Sequence, residues 1–211
     1  MAPSRDSKHI IWLKSATSTN YELRQNRDKL DNLSIIAAVE QTRGRGQGDH
    51  TWFSSPATNL TFSLLLRFPD NSPFSLKASD MLLITQLTTL GIRDYLGSKG
   101  IAARVKWPND IWVEDKKICG ILIENILDGQ MIRESIVGIG LNVNEQHWPT
   151  ELPNPVSMSQ LSGEHYELER ELEELHKNIC RRYEQLGSTD GRICLDREFA
   201  EVMFKLREEQ R

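Results

Sequence analysis

The chain predicts an α+β domain: a mixed, largely antiparallel sheet flanked by helices. Short apolar runs separated by turn residues fill its middle, as in Val105 to Trp107, Ile111 to Val113, Ile118 to Ile126 and Ser135 to Val143. Apolar residues recur at helical spacing between Phe74 and Leu96 and again after Leu168. With 38% hydrophobic and 27% charged residues, the 211 residues suffice for one large core.

Ile10 to Leu13 reads as a short strand, and Thr19-Asn20-Tyr21-Glu22 fits a capping box that opens a helix to about Arg27. Ile35 to Val39 and Leu60 to Phe68 fit two buried strands joined by a glycine-rich loop. Leu76, Leu83, Leu87, Leu90 and Tyr95 then predict one long helix, with Gly97 and Gly100 as stops. The four runs from Val105 to Val143 form a meander, because Glu114 to Lys117 and Asp128-Gly129 are polar turn segments. Pro149, Pro153 and Pro155 mark an irregular loop to about Glu164. Leu168 to Leu186, and then Leu195, Phe199, Val202, Met203 and Leu206, predict two amphipathic helices.

No apolar run approaches the roughly 20 residues that cross a bilayer, so no membrane partner is expected. Met1 to Lys8 is polar and charged, Ile10 to Leu13 is too short for a signal sequence, and three cysteines without paired spacing suit a reducing compartment. The expected location is the cytoplasm. A net charge of -4 argues against general nucleic-acid binding.

Three constellations carry chemistry. In Gln41-Thr42-Arg43-Gly44-Arg45-Gly46-Gln47-Gly48, glycines allow the backbone to turn its N–H groups inward while Arg43 and Arg45 add fixed positive charge. That is an anion cradle, or else a mobile surface loop. In Val105-Lys106-Trp107-Pro108-Asn109-Asp110 the proline ends a strand and leaves Lys106 near its tip, either in a site or as a solvent-facing member of an alternating pattern. In Gly138-Ile139-Gly140-Leu141-Asn142-Val143, glycines inside an apolar strand signal close approach of a ligand or another backbone, or a bulge.

Taken in order, Ser18-Thr19-Asn20, Gln41 to Gly46, Trp52, Lys106 to Asp110, Lys117-Ile118-Cys119-Gly120-Ile121-Leu122 and Gly138 to Val143 resemble the catalytic domain of biotin protein ligases. The resemblance spans roughly residues 10 to 186. It implies the class II aminoacyl-tRNA synthetase-like fold of biotin and lipoate ligases, with a catalytic domain over 1–186 and a helical extension over 187–211. It also implies adenylation of biotin by ATP, with Mg²⁺, and transfer to a lysine of a biotin carboxyl carrier protein. Lys106 and Arg45 are then the catalytic residues. Biotin is met by Ser18, Thr19, Asn20, Gln41, Gly44, Arg45, Gly46, Gln47, Lys106, Gly120, Gly138 and Gly140. The nucleotide is met by Trp52, whose alternative is core packing, and Asn142. The metal ligands stay unassigned, and monomer and homodimer stay open.

The chain departs from the family pattern in three places. Gln47 stands where many members carry a further arginine, no helix-turn-helix is found ahead of Ile10, and the usual small β-domain is not found before Arg211. The expectation is an enzyme without a repressor role, with the C-terminal domain either cut off or absent. A lipoate-type ligase and a non-catalytic binding protein of the same fold are the rivals.

Overall fold

The computed structural model describes residues 9–46, 48 and 51–204. Among these, β1 (Ile10–Ala16), β2 (Ile35–Gln41), β3 (Leu60–Arg67), β4 (Leu76–Lys77), β5 (Arg104–Lys106), β6 (Asp110–Val113), β7 (Lys116–Asp128), β8 (Met131–Leu141) and β9 (Met203–Phe204) form one sheet. Its order is β1-β2-β3-β8-β7-β6-β5-β9, with β4 joined to β8 off that path. Only β1–β2 and β5–β9 pair in parallel. The expected meander from β5 to β8 is present, antiparallel throughout.

Strand alternation gives the sheet two unlike faces. One carries Ile35, Ala37, Phe62, Leu64, Ile121, Val137 and Ile139 and packs under α2 (Leu82–Ser98), α4 (Leu168–Glu184) and α5 (Thr189–Val202). The other carries only a small cluster, Ile36, Leu65 and Ile136, under Leu23 of α1 (Thr19–Asn26). Beyond that cluster this face is open to a ligand.

Several elements differ from the sequence expectation. Ser18, not Thr19, is the N-cap of α1 and makes no side-chain capping bond; Thr19 is turned to Gln41 and Ser63. The helix expected from Phe74 is shorter: Leu76 is drawn onto the sheet opposite Ile132, a 3₁₀ turn follows over Ala78–Asp80, and α2 begins only at Leu82. Gly100 supplies the left-handed backbone just beyond α2, at φ +75°. The proline-rich loop contains a short helix, α3 (Met158–Ser162), with a capping box between Ser157 and Gln160. Val202 ends α5; Met203 and Phe204, expected as helix, extend along β5, and Leu206 lies outside the described residues.

The segment after residue 186 shares the main core, where Leu195 and Phe199 are buried. Arg182 of α4 bridges Asp94 of α2 at 2.6 Å and Glu198 of α5 at 2.8 Å, so three helices meet at one guanidinium. No described helix is long and apolar enough to cross a membrane.

The α2–α4 crossing depends on Gly91. A Cβ there would stand 2.8 Å from Ile179 Cα, backbone that cannot swing aside. Gly91→Ala should therefore destabilise the chain, overpacking of roughly 1–3 kcal/mol outweighing the helix propensity of up to about 1 kcal/mol that alanine adds. A urea midpoint equal to or above that of the parent chain would contradict this packing.

Candidate functional site

The open face holds a cavity of about 540 Å³. Its floor follows from register: Lys106 pairs with Asp110, Asp110 with Gly120, Gly120 with Gly140, and Gly140 with Thr61. Directly paired residues share a face, so a cation and a carboxylate stand at one end of a row whose centre is bare backbone. The next row runs Leu122, Gly138, Ser63.

Each floor glycine seats a particular side chain. A Cβ on Gly140 would collide with the Trp52 indole, one on Gly120 would stand 2.8 Å from the same ring, and one on Gly138 would collide with the Asn20 amide. The glycine strand does allow close approach, but of side chains, where a ligand, another backbone or a bulge was expected. The neighbours it admits are Trp52 and Asn20, both of which line the cavity.

The polar end is built where β1 runs into α1. Gln41 Oε1 accepts from the Thr19 backbone N–H at 2.9 Å and the Thr19 hydroxyl at 3.3 Å. Ser63 Oγ lies 2.8 Å from Thr19 Oγ1 and donates to Asn20 Oδ1 at 2.5 Å. Ser18, Thr19 and Asn20 are all buried. A neutral polar ring entering here meets donors and acceptors that water does not reach, the condition under which unmatched partners are costly.

Three cations line the cavity, Lys106 and Lys117 at the Asp110 end and Arg45 beside Glu124 near the polar cluster. Lys106 Nζ lies 4.3 Å from the Trp112 ring centroid, Lys117 Nζ 2.8 Å from Asp110 Oδ2, and Arg45 Nη1 3.8 Å from Glu124 Oε1. Lys106, Lys117 and Arg45 all line the cavity. Asn142 Oδ1 is buried without a hydrogen-bond partner, while its Nδ2 donates to Val156 O at 3.0 Å and Lys117 O at 3.3 Å. An orphaned buried acceptor lining a cavity suits a ligand amine. Burial pushes the neighbouring Cys119 thiol well above its ordinary range, which keeps it a protonated apolar group.

The glycine loop is closed at its base. Thr42 and Arg43 donate their N–H groups to Ala16 O and Thr17 O at 2.9 Å each, and Arg45 bridges Thr51. Two of the expected cradle donors are thus used to continue the β1–β2 pairing. Of the loop glycines described, only Gly48 adopts positive φ, at +59°. Gly44 is needed for close approach instead, since a Cβ there would collide with the Trp52 carbonyl. Gly44 does not itself line the cavity, whereas Gly46 does. Gln47 lies outside the described residues.

The sequence assigned no site role to Lys117, Asp110, Asn109, Glu124 or Ser63. The Asn109 amide donates across the sheet to Ile121 O. The signal for Glu124 was the period of two: Gly120, Leu122 and Glu124 share one face of β7. Lys117 and Asp110 become a pair only once the β6–β7 hairpin is folded.

Residues 11–142 match the model of the biotin/lipoate A/B protein ligase family. The bifunctional ligase/repressor BirA of Bacillus subtilis (strain 168) is 36% identical over 163 residues, 74% of this chain and 48% of that protein. The biotin–[acetyl-CoA-carboxylase] ligase of Paracoccus denitrificans is 34% identical over 134 residues, 62% of this chain and 53% of that one. The chain thus spans about half the length of the curated relatives it matches. The structure of the biotin protein ligase of Aquifex aeolicus in complex with biotin and ATP superposes with a TM-score of 0.77 at 26% identity, covering 93% of this chain and 79% of that one.

Gly140→Ala should lift the indole off the floor. The part of the fluorescence that is lost in Trp52→Phe should then move to the red, as the ring leaves an apolar seat for water. An unchanged spectrum would show that Trp52 does not depend on the glycine.

Proposed function

Since this chain belongs to the biotin/lipoate A/B protein ligase family, we propose that it activates biotin as biotinyl-5'-AMP and passes the biotinyl group to a lysine of a carrier protein. The observation that carries the reading is the layout of the cavity: a buried hydrogen-bonding cluster at one end with Glu124 and Arg45 beside it, Lys106 and Lys117 at the other, and an indole between. Biotin fits this layout, with a neutral ureido ring at one end and a carboxylate at the other. A biotin carboxyl carrier domain is the substrate protein on this reading, and the cytoplasm the setting.

Ser18, Thr19, Asn20 and Gln41 pair the ureido ring, and the glycine floor lets it lie close to the sheet. A carboxylate oxygen then attacks the α-phosphorus of ATP, and the bond from that phosphorus to the pyrophosphate oxygen breaks. The two reactants repel one another as anions, so lysine and arginine donors favour both their encounter and the charge of the transition state. Lys106 of β5 and Lys117 of β7, with β6 between them, and Arg45, from the loop, supply those donors. Trp52, half-buried on the cavity wall, stacks on adenine, and the orphaned Asn142 Oδ1 accepts from the exocyclic amine. In the second step a carrier lysine, as the free amine, attacks the acyl carbon; the acyl–oxygen bond breaks, AMP leaves, and the amine loses its proton.

Among the described residues no group of three His, Cys, Asp or Glu side chains is placed to hold a metal ion. Mg²⁺ therefore enters this reading with the ATP phosphates, and no step is assigned to a metal held by the protein.

Pyrophosphate release should require both biotin and ATP. Lys106→Ala should lower it by about 10² or more, while calorimetry still detects biotin. Unchanged turnover would remove Lys106 from the chemistry, and tight binding of lipoate with none of biotin would overturn the choice of acid.

A further inference from the structure

Glu124 stands on the working face of β7, its side chain 24% exposed, and is the one carboxylate that touches the buried polar cluster among the described residues. Its Oε2 accepts from Asn20 Nδ2 at 2.9 Å and lies 3.6 Å from an Arg24 nitrogen. Its Oε1 faces Arg45. Asn20 is 3% exposed and rests on Gly138, with its Oδ1 against Ser63.

A carboxamide can turn over, exchanging its oxygen for its NH₂ with almost no change of shape. Ser63 cannot decide between the two states, because a hydroxyl donates or accepts as required. An ionised carboxylate only accepts. Turning the Asn20 amide over would set its oxygen against Glu124, two acceptors with no proton between them, in a place that water hardly reaches. We infer that Glu124 is a positioning residue: it holds the Asn20 amide in the one orientation that matches the ring of the acid substrate.

The consequence lies in what the polar end presents. With Nδ2 committed to Glu124 and Oδ1 to Ser63, Asn20 keeps one amide hydrogen and one oxygen lone pair in fixed places. A ureido ring carries N–H donors and a carbonyl acceptor in a rigid plane, and an amide free to turn over would mispair with it half of the time or more. The Arg45 contact is more exposed and longer, and the inference does not rest on it. It does rest on the biotin reading for the identity of the ring.

Glu124→Gln tests this, because glutamine keeps the size and the reach but can both donate and accept. The KM for biotin should rise about twofold or more, with kcat at saturating biotin, the KM for ATP and the melting temperature close to those of the parent chain. In an Asn20→Ala background the same substitution should leave the KM for biotin unchanged. An effect of equal size in that background, an unchanged KM in the single variant, or a parallel rise in the KM for ATP would each overturn the inference. The state of the amide is also readable without substrate: the Asn20 side-chain NH₂ signals in NMR should move and broaden in Glu124→Gln and stay sharp in the parent. If the parent chain fails to bind biotin while those signals behave as expected, the biotin reading fails and the positioning role stands; identical signals in both chains would remove it.

Discussion

One constraint organises the working half of this protein: the sheet must offer bare backbone at Gly120, Gly138 and Gly140. A methyl group at any of these positions would meet the Trp52 indole or the Asn20 amide. Those two side chains come from distant parts of the chain, one from the end of the glycine loop and one from the first turn of α1. The floor is what brings them to one cavity. Leu122 fills the place between Gly120 and Glu124 on the same strand, so the trough is bare beneath Trp52, and Glu124 stands beside the polar cluster of α1.

The opposite face makes such a trough affordable. A strand rich in glycine is poorly packed on the side of its missing side chains. Here Ile121, Ile139 and Phe62 fill the other side against α2, α4 and α5, which are themselves drawn together at Arg182. The brace reaches the chemistry through β5. Its outer edge is covered by β9, where Trp107 donates to Phe204 O at 3.0 Å, and Trp107 packs edge-on against Phe199 at 6.5 Å. Lys106 therefore sits on a strand that is paired on both sides.

The fold was legible where periodicity was strong, as in the meander from β5 to β8 and the helix after Leu168. It was illegible where a tertiary partner overrode a local signal. Leu76 keeps helical spacing with Leu83, yet β8 offers it a ladder, and Met203 continues the period of α5 until the β5 edge captures it. The candidate site divides in the same way. Residues inside contiguous motifs, such as Asn20, Arg45 and Lys106, could be found in order along the chain. Ser63 and Glu124 could not, because their meaning comes from Asn20, more than forty and a hundred positions away. Thr19 shows the hazard of a local rule: its capping pattern with Glu22 is sound chemistry, but the side chain serves the site instead.

The cations of the cavity share a further property. Lys106 rests on an indole face, Lys117 on Asp110, and Arg45 on Glu124. None is buried without a partner, so the empty cavity does not carry unpaired charge. Yet each partner is modest: partly exposed ion pairs are worth about 0–1 kcal/mol, and an exposed cation over a ring about 0.5–1 kcal/mol. Arrangements this weak keep the cations near their working positions and are readily exchanged for a stronger guest. A carboxylate or phosphate that offers charge-assisted, multiply bonded contacts displaces them at little cost. Strong buried pairs would have stabilised the empty protein further and opposed the ligand by the same amount. Weak partners around the cations and a rigid, mutually bonded polar cluster that keeps directed positions free on Asn20 are therefore opposite solutions to one requirement, a site that is ordered before its ligand arrives and still prefers the ligand.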